Sequence, residues 1–556
     1  MSKRMSRRDF ARTSVAAGVA AVALPKALHG NEVAEVARGT ASAAALGSEV
    51  VRGTTSAAAA GAAVAKRVRA AMPPDLDYGG LNLNGREAIL LADTLTPAGQ
   101  TPPSYPNGWR EGTTIPQEYY VDEKHYPNDE QFMKDHFWFM IDHHSRIPKP
   151  GDFFTFQFGR GDSVIVVRDQ DNQVKAFHNV CRHRGSRLCI SNEKLPTGAK
   201  ENGKPPHAGF SVTQLGPSGN SPVFRCPYHA WTYDTSGKLI SLPVGAPNGF
   251  DQSQYGLHPV TLKVLGGFIF ITFADDPPDF DTWVGSLPAA LEEYKTADLK
   301  IGARRAVPNK CNWKLVIENF RECYHCGPAH KNSYISAYWN ADGTLTAAER
   351  ERLEANIRRQ DPQWQPGRRG EQQYGQQGQD RLIPARSAAA AAGMGAPQGQ
   401  QHFRAGYLTA SLDGKGVAPF LPGVTAYTAG KGNGRNRTAR LGFSTTAISI
   451  YEDYVFCSRF TPRGVDLTDA EAMWLVHPDA KEGKDYNVEH LVGLWHETLL
   501  EDRWLGENNH HGILSSRYAY KGGQPYMAVE GGPAGFVKWY MGEVVPRESV
   551  KQTTAG

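Results

Sequence analysis

The sequence predicts an α+β protein of two domains, a β-rich one over about residues 117–280 and a second over about 281–545. Three observations lead there. Residues 154–158, 164–167, 174–177 and 268–273 are short runs rich in Phe, Val and Ile, and Asp169-Gln-Asp-Asn172 marks a turn between two of them, so they read as strands. Behind Asn312, a good N-cap, the residues Trp313, Val316, Ile317, Phe320 and Tyr324 recur at helical spacing. Finally, alternating segments at 441–451 and 454–460 suggest an antiparallel sheet, and the stripe Val488, Leu491, Val492, Trp495 and Leu499 predicts a long helix crossing it.

Composition sets the frame. The chain has 556 residues, of which 40% are hydrophobic and 21% charged, ordinary values for a globular protein. A net charge of +4 is small for this length and gives no global reason to expect nucleic acid as a partner. After the N-terminus no apolar run reaches the roughly 18 residues of a membrane span. Seven cysteines are too few for a disulfide scaffold.

Residues 1–30 read as an export signal. Ser6-Arg-Arg-Asp-Phe10 follows a basic start and precedes an apolar run over 15–24, the layout of a twin-arginine signal peptide. Periplasmic export is the expectation, with cytoplasmic residence as the alternative. Residues 31–116 form a spacer: Arg38-Gly-Thr-Ala-Ser-Ala-Ala-Ala45 recurs as Arg52-Gly-Thr-Thr-Ser-Ala-Ala-Ala59, and Pro and Gly are frequent beyond 73.

Two segments of the first domain pair a thiol with an imidazole. Cys181-Arg-His-Arg-Gly185 offers Cys181 and His183; Cys226-Pro-Tyr-His-Ala-Trp231 offers Cys226 and His229. Two thiolates and two imidazoles can hold a zinc ion or a two-iron cluster of mixed ligation. The stretch at 195–222 is rich in Pro, Gly, Ser and Asn and reads as a surface insertion; Cys189 reads as a buried thiol.

The second domain offers two histidines that, taken alone, suit core packing at least as well as a metal site. Glu322 and His325 stand three apart, and His330 follows with Gly327 and Pro328 between the histidines, where the helix is expected to end or distort and let the two imidazoles converge. Asp502 falls on the apolar stripe of the long helix, a costly place for a carboxylate unless it is paired or metal-bound. Glu501 points about 100° away and reads as solvated. Cys323, Cys326 and Cys457 read as structural. Residues 340–401 are a low-complexity insertion in which Thr346-Ala-Ala-Glu349 opens a charged helix. Tyr334, Tyr338 and Trp339 suit either an aromatic cage for a cation or core packing. No glycine-rich nucleotide motif is evident.

From about residue 119 to 540 the chain resembles the Rieske non-haem iron oxygenases, the ring-hydroxylating α-subunit family. The motifs that carry the resemblance are the two Cys/His loops, Asn312-Trp-Lys-Leu315, Glu318-Asn319, Glu322-Cys-Tyr-His-Cys326 with His330, Trp474-Leu-Val-His477, Asp485-Tyr-Asn-Val488 and Thr498-Leu-Leu-Glu-Asp502. They are closest to the branch of choline, glycine-betaine and carnitine oxygenases. The resemblance implies a Rieske domain followed by a helix-grip-like catalytic domain. It implies a [2Fe-2S] cluster with Cys181 and Cys226 on one iron and His183 and His229 on the other. A mononuclear non-haem Fe(II) would sit on His325, His330 and Asp502, and Glu322 would bridge to His229 of a neighbouring chain in a homotrimer or a multiple of one. Electrons would come from NAD(P)H through a separate reductase, with or without a ferredoxin. Dioxygen and a small organic molecule would be the substrates, through N-demethylation of a quaternary amine or, alternatively, dihydroxylation of an aromatic ring. A Rieske electron-transfer protein is the rival from another class, but Ser186 and Tyr228 stand where its disulfide cysteines would be, and a whole domain follows.

Overall fold

The computed structural model describes residues 108–189, 217–285, 287–322, 324–330, 333, 397–398, 407–427, 437–441, 445–518, 523–527 and 530–546. The export signal, the spacer, most of the 195–222 insertion, nearly all of 340–401, and Cys323, Tyr334, Tyr338 and Trp339 lie outside the described residues.

Helix α1 (Tyr126–His136) buries Phe132 and Met133 and leads into β1 (Phe139–His143). The apolar runs then fold as strands. β2 (Asp152–Phe158), β3 (Asp162–Arg168) and β4 (Val174–His178) are antiparallel neighbours, joined on the outer edge of β2 by β5 (Ser218–Asn220). The turn after β3 places Asn172 at φ 63°, the left-handed conformation that Asn tolerates. A second small sheet is the meander β6 (Val223–Arg225), β7 (Thr232–Asp234) and β8 (Leu239–Ser241). After β9 (Thr261–Leu265), the wholly buried β10 (Phe268–Thr272) pairs with both β9 and β1. A separate apolar cluster that includes Phe153, Ile165, Phe177, Phe224 and Tyr233 fills the interior between the first two sheets.

The second domain is built on a six-stranded antiparallel sheet. β11 (Lys300–Ala306) sits at one edge, followed in space by β16 (Leu467–Val476), β15 (Val455–Gly464), β14 (Thr446–Ile450), β13 (Arg437–Leu441) and the two-residue β12 (Pro397–Gln398). The segment expected as one strand over 441–451 is thus two, β13 and β14. Against this sheet lie α2 (Trp313–Phe320) and α4 (Val488–Ile513), with the one-turn α3 (Cys326–Ala329) following α2 and α5 (Gly531–Trp539) packed on α2. Trp495 of α4 stacks on Phe456 of β15 at 4.5 Å and 3°, fixing the long helix on the sheet. No described helix is long and apolar enough to cross a membrane.

The placement of α2 follows from its sequence. Asn312 caps it, its side chain accepting from the Lys314 N–H. Trp313 packs edge-on against Phe536 of α5 at 5.6 Å. Lys314 is 1% exposed yet paired with the equally buried Asp129, which also accepts from Trp313 Nε1 (3.0 Å) and Tyr540 Oη (2.7 Å). A buried ion pair is tolerable only with its remaining lone pairs filled in this way.

Helix α2 ends earlier than the sequence suggested. It stops at Phe320, and Gly327 and Pro328, expected as the break, lie inside α3. Pro328 is the third residue of α3, where a missing N–H costs nothing because the first helical N–H groups have no internal partner. The break falls at Arg321, whose Nε donates to the Gly532 carbonyl at 3.1 Å. A Cβ on Gly532 would come within 2.2 Å of the Arg321 carbonyl, so α5 presses its glycine against the place where α2 ends.

Candidate active site

The two Cys/His loops are built alike. In the first, the Gly185 N–H donates to the Cys181 carbonyl (3.0 Å) and the Cys181 N–H to the Ser186 carbonyl (2.9 Å). In the second, Ala230 donates to Cys226 (3.0 Å) and Cys226 to Trp231 (2.8 Å). The closing residue is left-handed in both, Gly185 at φ 76° and Ala230 at φ 56°, the latter rare without glycine. Each cysteine is therefore gripped through both of its backbone polar groups. Cys181 and Cys226 are buried, while His183 and His229 face outward with ring centroids 4.6 Å apart. His183 stacks on Trp231 (4.8 Å, 7°) and His229 on Tyr228 (3.9 Å, 30°).

The two thiols act on each other: Cys226, with burial, pushes Cys181 up, and Cys181, helped by the N–H groups of Tyr228 and His229, draws Cys226 down. Tyr233 Oη lies 3.3 Å from Cys181 Sγ and accepts from the Arg182 N–H at 3.0 Å. Two cysteines on the inside and two imidazoles on the outside, with donors aimed at the sulfurs, fit a cluster of mixed ligation.

The second site forms where α2, α3 and α4 meet. Glu322, in the turn after α2, accepts from the backbone N–H of Tyr324 and of His325 (3.2 Å), and its other oxygen lies 2.5 Å from His325 Nδ1. Glu322 and His325 therefore meet through this turn, with Glu322 beyond the end of α2. The carbonyls of His325 and Cys326 accept from the N–H groups of Ala329 and His330 at 3.0 Å, so α3 carries His330 round to face His325. On α4, Asp502 Oδ1 lies 3.3 Å from His325 Nε2 and 3.1 Å from His330 Nε2.

Those contacts lack the alignment of hydrogen bonds: Asp502 Oδ1 is buried and has no hydrogen-bond partner among the described residues. An ion with bonds of about 2.1 Å separates neighbouring ligands by about 3.0 Å in octahedral geometry, close to the spacing found. His325, His330 and Asp502 thus fit a two-histidine, one-carboxylate site for Fe(II). Burial opposes charge on His325, yet Glu322 and Asp502 outweigh it and raise its pKa to about 10; Asp502 raises His330 likewise. The same two imidazoles hold the Asp502 carboxyl far below its ordinary range despite burial. Positive charge is what this pocket stabilises. The sulfur of Cys326 is also near the two imidazoles, but it is bonded in a disulfide and offers no thiolate.

Glu501 departs from the sequence reading. Instead of pointing into solvent, its carboxylate lies 2.8 Å from His330 Nδ1 and accepts from Ser333 Oγ. Each imidazole consequently has one nitrogen toward Asp502 and the other against a carboxylate, Glu322 for His325 and Glu501 for His330. Such partners set the tautomer and the aim of a ligand. Glu501→Gln is expected to weaken Fe(II) binding about 10- to 100-fold, measured by iron titration, with Glu501→Asp intermediate; unchanged affinity in both would rule the contact unimportant.

Comparison with known proteins gives the site its setting. A family model described as the Rieske [2Fe-2S] domain matches residues 137–255, and one described as the ring hydroxylating alpha subunit (catalytic domain) matches 296–544. The glycine betaine monooxygenase oxygenase subunit of Pseudomonas aeruginosa (strain UCBPP-PA14) is 30% identical over 452 residues, 81% of this chain and 94% of the relative. The chain belongs to the Rieske-type ring-hydroxylating oxygenase α subunits. It is an oxidoreductase whose family carries a [2Fe-2S] cluster and a mononuclear iron, and as an oxygenase subunit it works with a separate reductase. The carnitine monooxygenase oxygenase subunit of Escherichia coli (strain K12) is 30% identical over 254 residues, 44% of this chain and 61% of that relative. A crystal structure of the quaternary ammonium Rieske monooxygenase CntA with inhibitor MMV12 shares the fold, with a TM-score of 0.51, 18% identity, and 78% and 96% of the two chains covered.

Proposed function

We propose that this oxygenase hydroxylates a carbon attached to a quaternary nitrogen and so demethylates the amine. The observation that carries the reading is the charge of the site. Asp502, Glu322 and Glu501 bring three carboxylates to two imidazoles, so a divalent ion leaves an excess of negative charge to attract a cationic substrate. Relatives named for glycine betaine and carnitine point the same way.

In this reading His325, His330 and Asp502 hold the mononuclear iron, and Cys181, Cys226, His183 and His229 hold the cluster. A ferrous ion so held keeps open positions for reductive activation of dioxygen, and the cluster supplies electrons one at a time. Glu322 and Glu501 hold the imidazole Nδ1–H groups and so turn each Nε2 toward Asp502. In this reading His229 of one chain would bridge to Glu322 of its neighbour in a homotrimer or a multiple of it, which the outward His229 and the partly exposed Glu322 support, and electrons would reach the cluster from the reductase directly or through a ferredoxin. Hydroxylation of an N-methyl group gives a carbinol that breaks into formaldehyde and the demethylated amine. Oxygen uptake with a panel of quaternary amines and arenes tests this: formaldehyde in step with oxygen supports it, and dihydrodiols from arenes with no response to amines would overturn it.

The paired arginines at Arg7-Arg8 support export by the twin-arginine route, which accepts folded, metal-loaded cargo. Fractionation should find the mature protein in the periplasm; full-length protein confined to the cytoplasm would refute export.

A further inference from the structure

We propose that the junction between the cluster domain and the catalytic sheet is a binding site for a small oxyanion, a phosphate or a hydroxy-carboxylate. A cavity of about 330 Å³ lies there, between β2 on one side and β15 and β16 on the other, and Arg146, Gln157, Arg459, Thr461, Arg463 and Glu471 are among the residues that line it. That volume is at the lower end of the range for ligand pockets.

Two independent observations point to an occupant. The first is Gln157, only 7% exposed, whose Oε1 and Nε2 both lack a partner among the described residues. A buried amide with neither atom bonded is rare in native folds and calls for a partner. The second is charge. The cavity wall carries three guanidinium groups, of Arg146, Arg459 and Arg463, against two carboxylates, of Asp469 and Glu471. Asp142, fully buried, is shared by Arg146 (2.5 Å) and Arg304 (2.7 Å); Arg463 pairs with Asp469 (3.0 Å) and Arg459 with Glu471. On the wall itself, guanidinium groups outnumber carboxylates.

Burial pushes the Arg459 guanidinium down to about 9, with Asp142 opposing and Arg304 and Arg146 adding to the fall. Arg146 lies over the Phe154 ring at 4.2 Å and donates only through Nη1, so further N–H groups are available among the described contacts. Water could satisfy the Gln157 amide but would leave the charge uncompensated. An oxyanion can accept from Gln157 Nε2 and from Arg146 and neutralise the excess. A hydrogen phosphate or a hydroxy acid also brings the O–H that Gln157 Oε1 needs, which selects these over a simple halide.

The test uses the full, metal-loaded chain, titrated with sodium phosphate and separately with sodium citrate against sodium chloride at equal ionic strength, with melting temperature and binding heat followed together. A saturable rise of about 2 °C or more with phosphate or citrate but not chloride is expected, and the more effective arm identifies the chemistry. Gln157→Leu keeps the volume and should abolish the shift, and Arg146→Met should weaken binding about tenfold. No saturable binding of either anion, or equal affinity in both variants and the wild type, would overturn the site. Should Gln157→Leu not fold, the wild-type titration and Arg146→Met still decide.

Discussion

Asp502→Ala should strip the mononuclear iron and stop turnover while leaving the visible spectrum of the cluster intact. The loss is expected to exceed the roughly 100-fold that removal of an outer hydrogen-bond partner costs a metal site. Asp502 Oδ1 is the atom both His325 Nε2 and His330 Nε2 face, at 3.3 and 3.1 Å, and it is the one anionic member of the proposed triad. Without it two neutral imidazoles remain on a short helix, too few ligands for tight Fe(II) binding. The cluster should survive because its four candidate ligands come from β4–β7 and their loops, which have their own apolar interior. Iron and acid-labile sulfide assays check this together: the iron unaccompanied by sulfide should disappear. Full activity in Asp502→Ala would mean the triad is assigned wrongly.

The second large effect should come from Glu322→Gln, with an opposite pattern. Both iron centres should be retained, since a glutamine can still accept from His325 Nδ1–H, where Glu322 now lies at 2.5 Å. Electron transfer between centres is expected to slow by about 100-fold, because the proposed link from Glu322 to a neighbour's outward-facing cluster histidine relies on carboxylate charge. Single-turnover reoxidation of the reduced cluster with substrate and dioxygen measures it. Wild-type reoxidation in Glu322→Gln would remove Glu322 from the electron path.

What the sequence made legible was local. Cys181, His183, Cys226 and His229 sit in two short segments, and each pair is presented by one tight loop, so spacing carried most of the geometry. Asp502 was legible because a carboxylate on an apolar helical stripe has few acceptable fates. Glu501 was missed for a reason that is also geometric. A helical wheel tracks the face a residue leaves from, whereas an imidazole bound through Nε2 presents Nδ1 on its far side, within reach of the position before Asp502 on α4. The paired acids Glu501-Asp502 opposite two histidines were the available signal. The end of α2 was misplaced because it is set by a tertiary contact, Gly532 against Arg321, which local propensity does not contain.

Helix α2 is also tied down by Glu318, which accepts from Tyr120 Oη and Tyr526 Oη, both at 2.5 Å, and is pushed up to about 7 by burial against those two bonds. Tyr120 precedes β1 and all four cluster residues and Tyr526 follows α4, so the helix that introduces the iron histidines is held by segments far apart in the chain. During synthesis this separates the two centres in time. All four cluster residues can leave the ribosome and fold while the catalytic half is still being made. The candidate iron pocket, by contrast, lacks Asp502 and Glu501 until α4 has been made, so it is completed after the cluster loops.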